Sequence, residues 1–212
     1  MKKYTHIIWD WNGTLLNDIK LCILKVNSML SKRKLATIDS VEAYHNIFGF
    51  PIKDYYERAG FDFKKEKFED LASEFIKIYH ESDNDFELFP EVKDILNDIK
   101  KSGIKQIILS ASEINNLLSQ VELFDIQDYF DEILGISDIY AASKTAVGKD
   151  YIERIKPKKA LFIGDTIHDK EVADALGIDC LLIAKGHHSK QTLINTGAKV
   201  IDSLKDIRNI VL

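Results

Sequence analysis

Six short apolar runs, each ending in polar or glycine residues, constrain this chain more than any other feature. They are Ile7–Trp9, Ile107–Leu109, Ile133–Leu134, Leu161–Ile163, Cys180–Ile183 and Val200–Ile201. None alternates apolar with polar residues, so each reads as a strand covered on both faces, the pattern of a parallel sheet. Helical patterns separate the later runs and set up a βαβ rhythm, which predicts an α/β, doubly wound fold. Val92, Ile95, Leu96 and Ile99 form one helical face that starts after Pro90 and closes at Gly103. A short helix from Asp169 to Leu176 closes at Gly177, and Ser189 can cap another that ends near Gly197.

The first connection breaks this rhythm. Between Trp9 and Ile107 lie almost a hundred residues, nearly all helical in pattern. Ile19, Cys22, Ile23, Val26 and Leu30 form one stripe, and Phe68, Leu71, Ala72, Phe75, Ile76 and Tyr79 form another. Pro51 and Gly60 bracket a short helix between them. A stretch this long is an inserted helical subdomain, Asn17 to Glu87, rather than a crossover loop. The expected division is therefore a core of residues 1–16 and 88–212 and an insert of residues 17–87. The stripes serve packing within the insert or the binding of something apolar.

The chain has 212 residues and a formal charge of -5, without a basic run, which argues against sequence-independent nucleic-acid binding. Cys22 and Cys180 are far apart and lack metal-ligand spacing, consistent with a reducing compartment and packing roles. No apolar run approaches the roughly 20 residues of a membrane span, and three apolar residues before Asp10 are too few for a signal-peptide core. The expectations are a cytoplasmic location, no nucleic-acid or membrane partner, and a monomer or weak homodimer.

In open α/β sheets ligands bind at the carboxyl ends of the strands. The first strand ends in Asp10-Trp11-Asn12-Gly13-Thr14, the second in Ser110-Ala111-Ser112, and the fourth in Gly164-Asp165-Thr166, with Asp169 following. Lys144 lies in the loop before the helix that leads to the fourth strand. Three carboxylates, a hydroxyl and an ammonium gathered at one edge suit Mg²⁺-dependent phosphoryl transfer, because Mg²⁺ takes hard oxygen ligands together with substrate phosphate. Asp10, Asp165 and Asp169 can hold the ion while Asp10 attacks phosphorus. Ser110 and Lys144 can hold the phosphate oxygens, with Ala111 beside them and the backbone N–H groups after Asp10, at Gly13 and Thr14, completing the cradle. Plainer roles stand beside these: helix caps or turn formers for Asp10, Asp165 and Asp169, and turn support for Thr14. Ser112 competes with Ser110, and Lys149 competes with Lys144.

In this order the set resembles the haloacid dehalogenase superfamily, in its phosphoglycolate-phosphatase-like branch. The resemblance extends through "LFPEVKDILNDIKKSG", "YFDEILG", "LFIGDTIHDKEVADALGI" and "GAKVIDSLKDI", so it covers essentially the whole chain. It implies a Rossmann-like core with a helical cap inserted after the first strand, closing over a small phosphorylated metabolite. It also implies Asp10 as nucleophile and Mg²⁺ held by Asp10, the backbone carbonyl of Asn12 and the acids Asp165 and Asp169. The Lys-Pro pair usual in the family is missing at Lys144.

Asn12 departs from the pattern, because phosphatases of the family carry an Asp there that protonates the leaving oxygen and then activates water. An amide has no titratable proton, and general acid–base help is typically worth about 10²–10⁴ in rate. Three readings follow. One is a slow phosphohydrolase acting on a leaving group that needs no proton, such as an acyl phosphate or pyrophosphate. Another is a phosphometabolite-binding or regulatory protein. The third is deamidation at Asn12-Gly13, which regenerates an Asp. His187 and His188 read as surface histidines or as lining of the cap-facing rim. "FGFP", Phe48 to Pro51, with Lys53 nearby, reads as a helix–helix turn or as an approach to the site.

Overall fold

The computed structural model describes residues 3–81, 85–137 and 143–212. Positions 82–84 of the expected insert, and 138–142 of the loop before Lys144, lie outside the described residues. Six parallel strands form one sheet: β1 (His6–Trp9), β2 (Lys105–Glu113), β3 (Glu132–Ile136), β4 (Ala160–Gly164), β5 (Asp179–Ile183) and β6 (Lys199–Ile201). Their order is β3-β2-β1-β4-β5-β6, so β1 is central and the connections wind outward both ways. The expected α/β, Rossmann-like doubly wound sheet is what forms.

Alternate side chains feed two cores, which is why the strands show no polar positions. Ile7, Trp9, Ile108, Leu161 and Ile163 pack on one face, against α5 (Val92–Ser102) and α6 (Ile114–Leu123) among others. Ile8, Ile107, Leu109 and Phe162 pack on the other, against α7 (Lys144–Ile155) and α8 (Ile167–Leu176). The four residues read as the face of α5 are fully buried, and Gly103 closes it in the left-handed region at φ 72. Two short helices, α9 (Lys190–Ile194), capped by Ser189, and α10 (Asp206–Val211), complete the core.

Among the described residues four helices lie between β1 and α5: α1 (Ile19–Lys32), α2 (Val41–Ile47), α3 (Ile52–Ala59) and α4 (Phe68–His80). They share a separate apolar cluster that includes Val26, Leu30, Tyr44, Tyr56 and Leu71. The chain's two crossings run side by side: Leu16 bridges Leu88, and the Asn17 N–H donates to the Glu87 carbonyl at 2.8 Å. Among the described residues no helix is long and apolar enough to cross a membrane.

Candidate active site

Parallel pairing of β1 with β2 and β4 aligns Trp9 with Ile108 and Ile163, which brings the three segments following those residues to one edge. Asp10, Ser110, Lys144, Asp165 and Asp169 are all buried there. Lys144 is the first residue of α7, with Ser143 as its N-cap, rather than part of a loop; its ammonium donates to Asp10 Oδ1 and, at 2.6 Å, to Asp169 Oδ1. Lys149 is exposed on the same helix. The two attractive carboxylates outweigh burial and hold Lys144 cationic.

Asp10, Asp165 and Asp169 offer oxygens within 4.8 Å of one another. Burial, reinforced by the charge of Asp169, pushes Asp10 up to about 6 despite Lys144. Burial also drives Asp165 well above the carboxylate range, with the repulsion of Asp10 and Asp169 added and the His187 charge opposing. Asp169 goes the other way: although burial disfavours its charge, Lys144 and the Thr166 hydrogen bonds hold it low. Its Oδ2 accepts from the Asp165 N–H, the Thr166 N–H and the Thr166 hydroxyl, so it is also the third residue of a capping box on α8. The cap reading and the site reading of Asp169 thus hold together. Two buried carboxylates short of counter-charge, on a hard-oxygen donor set, fit a divalent cation such as Mg²⁺.

Thr14 shares its hydroxyl between Asp10 Oδ2 at 3.2 Å and Asp165 Oδ1 at 3.0 Å, and so fixes the spacing of the two acids. The expected phosphate cradle from the N–H groups of Gly13 and Thr14 is not formed. Gly13 N–H donates to Asp18 Oδ1 and to the Leu16 carbonyl, and Thr14 N–H to the Trp11 carbonyl, because the chain turns sharply here to enter the helical insert. Gly13 is required by that turn (φ 70), and a Cβ on it would lie 2.4 Å from Asp165 Oδ2. Ser110 sits within β2, which runs on to Glu113 through a register shift. Ser112 is no mere competitor: the Ser110 hydroxyl donates to Ser112 Oγ, which in turn donates to Asn12 Oδ1 at 3.0 Å. Ala111 lines the same cavity.

The amide of Asn12 faces a network that sequence reasoning missed. Its Nδ2 donates to Asp18 Oδ2 and to the Tyr79 hydroxyl, both at 2.9 Å, and Tyr79 donates on to Asp18 at 2.7 Å. Asp18 pairs with His187 Nε2 at 3.2 Å, and His187 Nδ1 meets the Tyr44 hydroxyl at 2.8 Å. Burial opposes both charges, yet each stabilises the other: Asp18 is held down to about 2, and His187 is raised to about 9. The surface reading of His187 and His188 is therefore corrected. Both are buried because α2 and the Phe48–Pro51 turn pack over their loop, with the Phe48 ring 5.1 Å from His187 and 5.4 Å from His188. That segment is both a helix–helix turn and a wall of the site, whereas Lys53 lies over the Phe63 ring instead. A cavity of about 810 Å³ joins the acids to this wall.

Residues 7–183 match the haloacid dehalogenase-like hydrolases. The chain belongs to that family. Phosphoglycolate phosphatase 1 of Pseudomonas aeruginosa is 23% identical over 212 residues, covering 95% of this chain and 77% of that protein. The phosphoglycolate phosphatase of Caulobacter vibrioides is 25% identical over 219 residues, covering 95% and 88%. The fold is also that of a haloacid dehalogenase-like hydrolase from Streptococcus pneumoniae, with a TM-score of 0.83 at 21% identity over 98% of both chains. This family member is a phosphatase of the phosphoglycolate-phosphatase-like kind.

Proposed function

We propose that the chain is a Mg²⁺-dependent phosphohydrolase that forms an aspartyl-phosphate on Asp10 and acts on a small phosphorylated metabolite. The observation that carries this reading is Asp10 itself, a carboxylate at the end of the central strand, opening into the cavity with Lys144 bonded to it. Asp10, Asp165, Asp169 and the carbonyl of Asn12 would hold the ion, which supplies positive charge where phosphate meets the carboxylate. Lys144 steadies the attacking oxygen of Asp10 and, with Ser110 and Ala111, lines the space for the phosphate. Residues 17–87 act as the cap and residues 1–16 with 88–212 as the catalytic core, a division supported by the paired crossings at Leu16 and Leu88. The cap excludes water from the reacting centre.

Asn12 gives no proton to the leaving oxygen, so the substrates served best are those whose leaving group departs as a stable anion. An acyl phosphate or an anhydride meets that condition. Phosphate release from acyl phosphates and phosphate esters, with and without Mg²⁺, tests the reading. Metal-dependent turnover abolished in Asp10→Ala is the expected result, and tight binding without turnover would turn the assignment towards a binding or regulatory protein.

A further inference from the structure

We propose that the leaving group this site accepts is aromatic, so that its preferred substrates are small aryl phosphates. The inference rests on the phosphatase reading of Asp10 and concerns the other end of the same cavity. Tyr44, Phe48, Tyr55, Phe75, Tyr79 and Val26 line that end, all from the helical insert. Rings of this kind favour an aromatic guest in offset or edge-on contact.

Charge argues the same way. Among the described residues lining the cavity, Lys144 is the sole lysine or arginine, and it is engaged by Asp10 and Asp169. The imidazolium of His187 is engaged by Asp18. Residues 82–84 and 138–142 contain neither lysine nor arginine. A second carboxylate on the substrate, as in phosphoglycolate, would meet no lysine or arginine on this wall that is free of a carboxylate partner, which is costly. A two-carbon acid would also leave most of the about 810 Å³ unfilled.

The chemistry at position 12 agrees. A carboxylate oxygen of Asp10 attacks phosphorus, and the bond from phosphorus to the aryl oxygen breaks, leaving its electron pair on a phenolate. One water then cleaves the aspartyl-phosphate, restoring the Asp10 carboxylate and releasing inorganic phosphate, and the phenolate takes its proton from solvent. No acid is needed at Asn12, because the ring delocalises the charge.

Calorimetric titration of the Mg²⁺-loaded protein with phenylphosphonate and with phosphonoacetate separates the two leaving-group classes without turnover. Phenylphosphonate binding about tenfold or more tightly is expected from the apolar area buried, and equal or tighter binding of phosphonoacetate overturns the proposal. Acetyl phosphate turnover reports the chemistry separately. If it is absent while phenylphosphonate binds tightly, the phosphatase reading falls and the cavity assignment stands. If it is present while phosphonoacetate binds equally well, the reverse holds.

Discussion

Replacing Asn12 by Asp puts a carboxyl where the family's phosphatases have one, and the surroundings decide its protonation. The amide nitrogen that would become an oxygen lies 2.9 Å from Asp18 Oδ2. Two unit charges at that distance repel by about 6 kcal/mol at an effective dielectric constant of about 20. That corresponds to about four pKa units. Asp18 is held ionised by His187, so the new carboxyl bears the shift and keeps its proton at pH 7. On the proposed reading, a protonated acid at position 12 would serve the leaving oxygen. In Asn12→Asp, kcat/KM for ethyl phosphate should rise by about 10²–10⁴, because expulsion of an alkoxide needs that proton. For acetyl phosphate it should change by less than about tenfold, since acetate leaves unaided. Steady-state phosphate release at pH 7 with Mg²⁺ measures both, and kcat/KM isolates the step in which the leaving group departs. An equal gain on both substrates, or no gain on ethyl phosphate, would refute the reasoning.

Other perturbations probe the same region. Asp10 is raised to about 6 in the folded chain, above the ordinary carboxylate value near 3.8, so the unfolded chain loses its proton first as pH rises. Without metal, stability should therefore fall by about 2 kcal/mol between pH 4 and pH 6 through this group alone, and Mg²⁺ should raise Tm more at pH 7.5 than at pH 4.5; an equal effect at both would count against the metal site. His187→Gln removes the partner of a buried Asp18 and should cost about 3–5 kcal/mol in denaturant unfolding. Because His187 is raised to about 9, its contribution is whole below about pH 6.5 and is lost as pH climbs through 9, so the variant's deficit should shrink there. Gly13→Ala should displace Asp165 and strain the φ 70 turn, lowering Mg²⁺ affinity as well as turnover in a metal titration.

The core was legible because each strand is buried on both faces and must be apolar throughout. Pro51, Gly60, Gly103 and Gly177 marked helix ends through backbone geometry alone, and three of them lie in the left-handed region. The gathering of the candidate site residues was legible because strand ends in a parallel sheet converge. Asp18 was not, since a carboxylate just before an amphipathic stripe reads as a helix cap, and it does occupy that position, although its side chain makes no capping bond and turns inward to Gly13, Asn12, Tyr79 and His187. The burial of His187 and His188 was hidden for a related reason. It depends on α2 and the turn after it resting on a distant loop, which no local pattern reports. The inward direction of the Gly13 and Thr14 N–H groups likewise follows from where the chain goes next.

The hydrogen bond between Asn12 and Tyr79 ties the residue two positions from the nucleophile to the last turn of α4. A guest that pushes α4 outward must stretch this link, while one that fits leaves it slack. The insert and the turn carrying Asp10 are thus joined by this bond, beside the one that Tyr79 donates to Asp18.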